Sequence, residues 1–263
     1  IARIGGENTL KYFQKDFEVI SKADDSPVTI ADKTTEQIIR EEILKRYPDH
    51  GIIGEEYGRT NEDSSIQWVL DPIDGTKGFL RGDQYAIALA LIEDGEVVLG
   101  LLGCPNLSQN TADPDKRGVI FVAVKGDGCT MYDLDGLNLG RVSVATVDDI
   151  SAAKFCESVE AAHSSHSDSA KIAERLKITA APYRIDSQCK YAAVARGDAA
   201  IYLRLPTRPG YVEKIWDHAA GVRVHQAGKE LPRGRVTLDL DLMRGGVGHR
   251  DHDRDVVSHA RRD

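Results

Sequence analysis

The stretch Trp68-Val69-Leu70-Asp71-Pro72-Ile73-Asp74-Gly75-Thr76 decides the interpretation of the chain, because a short apolar strand runs directly into two carboxylates. Pro72 fixes the turn, and Gly75 lets the backbone come close to a ligand. Such a turn can direct both carboxylates and the Ile73 carbonyl at one hard cation, and oxygen ligands suit Mg²⁺. A capped turn with solvated aspartates explains the bare spacing at least as well.

Three further carboxylates stand at the ends of predicted elements on either side of this stretch. Glu55 follows the apolar run Gly51-Ile52-Ile53-Gly54, although a glutamate pair after a strand is usually a solvated loop. Asp32 and Asp217 each lie at the start of a predicted helix, where each alone is an N-cap candidate. The case for a metal site therefore depends on these groups acting together.

Composition limits the class of protein. The chain has 263 residues, a net charge of −8 and 41% apolar residues, which predicts one large or two small globular domains. The acid excess argues against a nucleic-acid partner, and no apolar run is long enough for a membrane helix. Four scattered cysteines without a C-x-x-C pair indicate neither a disulfide framework nor a zinc site: Cys104, Cys129, Cys156 and Cys189. A cytoplasmic location is expected, or an organelle if a targeting segment preceded Ile1.

Hydrophobic periodicity predicts an α+β first half and an α/β second half. Helical spacing occurs in residues 7–17 and 32–46, and two apolar runs, 85–92 and 96–102, flank the hairpin pair Asp94-Gly95. After about residue 140, short apolar segments alternate with helical stretches. The predicted strands lie near 154–159, 183–185 and 199–203, and the predicted helices near 167–177, 188–196 and 217–227.

Together these segments resemble the lithium-sensitive, magnesium-dependent phosphatase superfamily that includes inositol monophosphatase and fructose-1,6-bisphosphatase. The resemblance spans about residues 5–228, with Gly54-Glu55-Glu56, Asp71 to Thr76 and Trp216-Asp217 as its motifs. It implies a layered αβαβα sandwich, with an antiparallel sheet first and a smaller mixed sheet second. The implied domains are a metal and catalytic domain, 1–139, a nucleotide-binding domain, 140–228, and an atypical tail, 229–263.

Within the superfamily the sequence is most similar to the 3′(2′),5′-bisphosphate nucleotidases. Lys77-Gly78-Phe79-Leu80-Arg81-Gly82 continues the metal motif as that branch does. Further matching segments are residues 103–107, 157–160, 163–166, 186–191, 202–206 and 213–218.

The resemblance assigns roles residue by residue. Two or three Mg²⁺ ions are implied, held by Glu55, Asp71, Asp74, Asp217 and the Ile73 carbonyl. Asp32 and Thr76 would orient and deprotonate the attacking water. The implied substrate contacts are Gly75, Thr76, His163, Ser187, Lys190 and Arg204. Without the surrounding motifs, Lys190 and Arg204 would be surface charges, and His163 with His166 would be a weak zinc pair that lacks partner ligands.

The implied activity is hydrolysis of the 3′-phosphate of adenosine 3′,5′-bisphosphate to AMP and phosphate, with 3′-phosphoadenylyl sulfate as a second substrate. The partner is a small molecule, and a monomer is expected. An inositol- or histidinol-phosphate phosphatase with the same metal site is the alternative enzyme. A catalytically inactive metal-binding relative is the alternative of another class.

Both ends depart from the family pattern. The N-terminal helix is shorter than the family usually has, and the resemblance disappears from about Lys229. Residues 229–263 contain seven Arg, six Asp and no aromatic residue, and they have no helix or strand periodicity. We therefore expect a disordered or frame-altered tail, with metal-binding or interaction roles as the alternatives.

Overall fold

A computed structural model of the chain describes residues 1–22, 27–110, 112–159, 165–205 and 212–229. The predicted substrate contact His163 and the predicted tail beyond Lys229 lie outside these ranges.

Among the described residues, eight strands form one large sheet: β3 (Gly51–Gly54), β4 (Gly58–Thr60), β5 (Ile66–Asp74), β6 (Ala86–Glu93), β7 (Glu96–Ser108), β8 (Arg117–Val124), β9 (Gly128–Asp133) and β10 (Asn138–Arg141). Their order across the sheet is β10-β9-β8-β7-β6-β5-β3-β4. All neighbours pair antiparallel except β3 and β5, which run parallel with Gly54 opposite Leu70. The predicted antiparallel sheet is thus confirmed with one parallel exception.

The predicted hairpin between β6 and β7 turns at Asp94-Gly95. Both residues have positive φ angles, 49° and 81°, which a two-residue hairpin turn of this hand requires. Asp tolerates this conformation and Gly adopts it without steric cost. The dipeptide therefore located the turn correctly.

A second, smaller sheet contains β11 (Phe155–Glu157), β12 (Tyr183–Arg184) and β13 (Ile201–Tyr202), in the order β12-β11-β13. Its described strands pair parallel, so the mixed pairing expected here is wrong for this part of the chain. The reason is that helix α4 (His166–Arg175) and helix α5 (Cys189–Arg196) lie between consecutive strands. Each helix is a crossover connection, and crossovers produce parallel pairs.

In the described residues the other α-helices are α1 (Ala2–Leu10), α2 (Ile30–Arg46), α3 (Thr76–Arg81) and α6 (Ala219–Lys229), and β1 (Val19–Ser21) pairs antiparallel with β2 (Pro27–Thr29). In the described part of the chain, no helix has both the length and the apolar character needed to cross a bilayer.

The helix predicted over residues 7–17 ends at Leu10. Phe13 and Phe17 follow it in irregular structure, where both rings pack against Phe79. Phe13 also packs against Tyr85 in a tilted arrangement, with a centroid distance of 5.1 Å. The apolar spacing therefore indicated partly buried aromatic rings rather than helical backbone.

The large sheet is covered on both faces, as the layered prediction requires. Trp68 and Leu70 pack with the α2 residues Ile39 and Ile43, whereas Val69 points to the opposite face. That second face is covered by buried alanines of α5 and α6: Ala192, Ala193, Ala195, Ala219, Ala220 and Ala227. Phe155 and Ile201 of the small sheet form a third cluster with Ile172 of α4, which completes the αβαβα order.

Close packing of α6 on β7 generates the first prediction. A Cβ at Gly100 would lie 2.6 Å from the Cβ of Arg223 and 2.7 Å from the Ala220 carbonyl oxygen. We expect Gly100→Ala to lower the free energy of unfolding by about 1–3 kcal/mol because α6 must move. Urea denaturation followed by circular dichroism measures the change.

Gly6 supplies the matched control. It lies in α1 and a Cβ there would have no atom within 4 Å. Gly6→Ala should therefore raise stability, by up to about 1 kcal/mol, through better helix propensity. Equal effects of the two substitutions would contradict the packing of α6 described above.

Candidate metal and phosphate site

The parallel pairing of β3 with β5 brings the acidic residues that follow Gly54 and Leu70 to the same end of the two strands. Gly54 lies opposite Leu70, so Glu55, which follows β3, lies beside Asp71, which is still part of β5. Asp71 is 2% exposed, and its Oδ1 accepts a hydrogen bond from the Ile73 amide at 3.1 Å. The predicted glutamate and aspartate motifs therefore meet as the sequence suggested.

Asp74 and Asp217 complete a group of three carboxylates. One carboxylate oxygen each of Asp71, Asp74 and Asp217 lies within 4.8 Å of the other two. Asp217 ends the 3₁₀ turn Ile215–Asp217, just before α6, and its Oδ2 accepts a hydrogen bond from the Lys214 amide at 3.1 Å. The structure thus brings together three of the predicted metal ligands.

The electrostatics of this cluster favour a bound cation. Burial raises the pKa of Asp71 well above its ordinary value, and the negative charges of Glu55, Asp74 and Asp217 raise it further. Burial and the charge of Asp217 raise the pKa of Asp74 to about 6. Like charges held this close are stabilised by a proton or by a cation. Their oxygen-only donor set fits Mg²⁺.

Glu55 lies beside these three carboxylates and forms an ion pair with Lys22. Its Oε1 is 2.7 Å from the Lys22 ammonium, which also lies 2.6 Å from Oε1 of Glu56. Burial raises the pKa of Glu55, and the charge of Lys22 opposes that change. Lys22 was not foreseen from the sequence, because it comes from the separate hairpin that contains β1.

A buried ion pair on α2 supports the turn that carries Glu55. Glu36 is fully buried and accepts hydrogen bonds from the amides of Glu56 at 2.7 Å and Tyr57 at 3.0 Å. It also accepts from Nε of Arg40 at 2.8 Å. A Cβ at Gly54 would lie 2.2 Å from Oε1 of Glu36, so this turn requires glycine. In the sequence, this ion pair was indicated by two opposite charges, Glu36 and Arg40, four residues apart on the buried face of a predicted helix.

Asp32 and Thr76 meet beside the carboxylate group. The Thr76 hydroxyl donates to Oδ1 of Asp32 at 3.2 Å and lies 3.3 Å from the Ile73 carbonyl oxygen. Oδ2 of Asp32 accepts from the Thr29 amide at 2.7 Å and from its hydroxyl at 2.6 Å. Burial raises the pKa of Asp32, and these hydrogen bonds from Thr29 lower it. Thr29 is the N-cap of α2 and Asp32 is the third residue of that helix, so the N-cap interpretation of Asp32 is wrong. The two oxygens of the Asp32 carboxylate have different partners, Thr29 and Thr76.

Gly75 and Ser187 bring the two halves of the chain into contact. Their φ angles are positive, 87° and 64°, and a Cβ at Gly75 would lie 2.8 Å from the Cβ of Ser187. Gly75 is therefore required both for its conformation and for this close approach. The contact places the predicted substrate contact Ser187 at the start of α3.

Lys190 and Arg204 add positive charge near the predicted metal ligands Asp74 and Asp217. Burial lowers the pKa of Lys190, and the negative charge of Asp74 is the largest influence that opposes it. Its ammonium lies 5.6 Å from the centre of the Tyr202 ring. A guanidinium nitrogen of Arg204 is 3.8 Å from Oδ2 of Asp217. Arg204 thus lies beside Asp217 and also pairs with Glu213, and the charge of Lys190 is felt at Asp74.

The raised pKa of Asp71 generates a prediction about stability. Because folding raises this pKa above 3.8, the carboxyl stabilises the metal-free fold most at low pH, and this contribution is lost as the pH rises through the folded value. Asn stays neutral, so Asp71→Asn should stabilise the metal-free protein at neutral pH and abolish the stabilisation by Mg²⁺. Calorimetry in EDTA and in Mg²⁺, over about pH 4 to 8, measures both effects.

The exposed Asp63 provides a control position. Asp63→Asn should follow the wild type in both buffers. An Asp71→Asn variant that is still stabilised by Mg²⁺ to the wild-type extent would contradict the placement of Asp71 in the metal site.

Comparisons with known proteins agree with this geometry. The inositol monophosphatase family model matches residues 1–238, ten residues beyond the end at 228 that the sequence resemblance suggested. A rice protein named 3′(2′),5′-bisphosphate nucleotidase is 51% identical over 69% of this chain and 52% of its own length. An Emericella nidulans protein of the same name is 38% identical over 86% of this chain and 82% of its own.

The chain spans about half the length of the plant relatives it matches, 52% of the rice protein and 47% of an Arabidopsis thaliana protein. Among solved structures, an inositol monophosphatase from Thermotoga maritima has a TM-score of 0.68 at 24% identity, over 86% of this chain and 80% of that one. CysQ from Bacteroides thetaiotaomicron has a TM-score of 0.62 at 24% identity, over 86% and 83%. The predicted fold is confirmed, and the chain belongs to the inositol monophosphatase family.

Proposed function

We propose that the chain is a Mg²⁺-dependent phosphomonoester hydrolase that removes the 3′-phosphate of adenosine 3′,5′-bisphosphate to give AMP and phosphate. 3′-Phosphoadenylyl sulfate is the proposed second substrate. The observation that carries the proposal is the group of three carboxylates, Asp71, Asp74 and Asp217, with the Asp32–Thr76 pair beside it. The names of the rice and Emericella relatives support the substrate class.

Two or three Mg²⁺ ions would be held by the carboxylate group together with Glu55 and the Ile73 carbonyl. When bound, Mg²⁺ acts as a Lewis acid on the phosphoryl oxygens, acidifies water and balances charge on the leaving oxygen. The carboxylates supply the negative charge that makes this binding favourable.

Asp32 and Thr76 would move the proton of the attacking water. The Thr76 hydroxyl donates its proton to Asp32, so its oxygen lone pairs would be free to accept a hydrogen bond from water. Thr29 holds the other oxygen of Asp32 and fixes the carboxylate plane. As water loses its proton to Thr76, the hydroxyl proton passes to Asp32, which acts as the general base.

Lys190 and Arg204 would hold the phosphate that is retained. Cationic side chains form short, strong hydrogen bonds to phosphate oxygens, and Arg can bind two of them at once. Gly75, at the start of α3, would face the phosphate that is cleaved, and Ser187, which lies against Gly75, would contact the nucleotide with its retained phosphate. His163, which lies outside the described residues, stays a predicted nucleotide contact.

The two predicted domains would divide this work. Residues 1–139 contain Asp71, Asp74 and the catalytic pair, whereas 140–228 contain Lys190, Arg204 and Asp217. We propose that the first part carries the chemistry and the second part binds the nucleotide. The monomeric state and the cytoplasmic location remain predictions from the sequence.

A panel of substrates tests the proposal. With Mg²⁺, we expect release of phosphate from adenosine 3′,5′-bisphosphate to exceed that from inositol 1-phosphate and histidinol phosphate. The reason is that a monophosphate sugar alcohol has no second phosphate for Lys190 and Arg204. Preference for either monophosphate would overturn the substrate assignment, and a folded protein that turns over none of the three would indicate the inactive relative.

Removing the Thr76 hydroxyl tests the proposed proton path. Thr76→Val keeps the shape of the side chain, so we expect kcat to fall by about 10²–10⁴-fold, the usual effect of losing acid–base catalysis. The affinity for Mg²⁺ should change little. Thr130→Val, on β9 of the large sheet, is the control and should keep its kcat. A wild-type kcat for Thr76→Val would exclude the pair as the general base.

Arg204→Gln tests the second phosphate contact. We expect KM for adenosine 3′,5′-bisphosphate to rise about tenfold or more, because a charged hydrogen bond is lost. Any slow hydrolysis of inositol 1-phosphate should keep its KM. Arg141→Gln, on the outer strand β10, serves as the control for lost charge. An equal effect on both substrates would place Arg204 elsewhere in the mechanism.

A further inference from the structure

Gln188 is a polar side chain sealed inside the protein next to the carboxylate group. It lies immediately before α5 and is less than 2% exposed. Its neighbour Ser187 has a positive φ, which turns the backbone toward the site. Gln188 has no part in the proposed proton path or in the proposed phosphate contacts, so its burial needs another explanation.

The side-chain amide of Gln188 joins three segments of the chain. Its Nε2 donates to Oδ2 of Asp74 at 2.6 Å and to the Trp216 carbonyl oxygen at 2.9 Å. Its Oε1 accepts from the Gly221 amide at 3.0 Å. The backbone amide of Gln188 donates to the other Asp74 oxygen, Oδ1, at 3.1 Å.

These bonds fix the orientation of the amide. Both N–H groups have acceptors and the oxygen has a donor, so rotating the amide by half a turn would replace three attractive contacts with three repulsive ones. Both oxygens of Asp74 are held as well, which sets the plane of that carboxylate. A carboxylate offers about four lone-pair sites, so about two remain for a cation.

Gln188 also holds the chain on both sides of Asp217. Trp216 is the residue before Asp217, and Gly221 lies in the first turns of α6 after it. Asp74, in contrast, belongs to the large sheet. One side chain therefore connects the two segments that supply Asp74 and Asp217.

We infer that Gln188 is a positioning residue that sets the distance and orientation between Asp74 and Asp217, and so determines the affinity of the site for a divalent cation. This inference rests on the proposed metal-dependent function. Gln188 acts through hydrogen bonds to the ligand carboxylate and to the backbone beside the second ligand.

Gln188→Met tests the inference because Met has a similar volume and makes none of the three hydrogen bonds. We expect the dissociation constant for Mg²⁺, measured by isothermal titration calorimetry without substrate, to rise at least about tenfold, the effect of one lost charged hydrogen bond. The melting temperature in EDTA, measured alongside, shows whether the variant is folded. At saturating Mg²⁺, KM for the bisphosphate substrate should stay within twofold of the wild type.

Gln109→Met is the matched control, because Gln109 is also buried and its amide contacts only the Gly118 carbonyl in the described structure, at 3.4 Å. It should keep the wild-type affinity for Mg²⁺. A similar loss in both variants would show that any buried amide has this effect and would overturn the positioning role.

Gln188→Glu keeps the shape and decides the matter if the Met variant does not fold. Its second oxygen replaces the amide that donates to Asp74, so the affinity for Mg²⁺ should again fall. Wild-type or tighter affinity in a folded Glu variant overturns the inference.

A wild-type chain that binds Mg²⁺ but releases no phosphate would overturn the proposed function and leave this test valid.

Discussion

Repulsion among buried carboxylates is the constraint on which the rest of the site depends. Asp71 and Asp74 are held close to Asp217 at the end of strand β5, where burial already disfavours their ionised forms. Such an arrangement costs stability unless donors and cations surround it. The neighbouring groups do this: the Ile73 amide and Gln188 donate to the two aspartates of β5, and the Lys214 amide donates to Asp217.

One exception in strand direction makes this crowding possible. In an antiparallel pair, the residues that follow the two strands lie at opposite ends of the pair. In a parallel pair, they lie at the same end. β3 and β5 are the parallel pair of the described large sheet; Glu55 follows β3, and Asp71 and Asp74 lie in the last part of β5. The buried Glu36–Arg40 pair on α2 then holds the turn after β3 in place.

Local patterns in the sequence predicted what depends on neighbours along the chain. The apolar run before Glu55 located a strand end correctly, whereas the strand predicted to end before Asp71 continues to Asp74. The Asp94-Gly95 pair located a hairpin. The supporting contacts of Lys22 and Gln188 depend on segments far apart in sequence, and a lone Lys or Gln carries no periodic signal. The helix predicted through Phe17 was wrong for a related reason, because rings that share a cluster can have helical spacing in irregular backbone.

The same electrostatics connect the metals to the choice of substrate. Among the charges around it, Asp74 influences Lys190 most, and Arg204 pairs with Glu213 as well as with Asp217. A cation bound by Asp74 and Asp217 would offset their negative charge and leave less of the positive charge of Lys190 and Arg204 compensated, while Glu213 still pairs with Arg204. Positive charge in a partly buried site attracts an anion more strongly than it would in water. Under the proposed function, metal binding would therefore strengthen the attraction of Lys190 and Arg204 for the retained phosphate, which would suit a substrate with two phosphates better than one with a single phosphate.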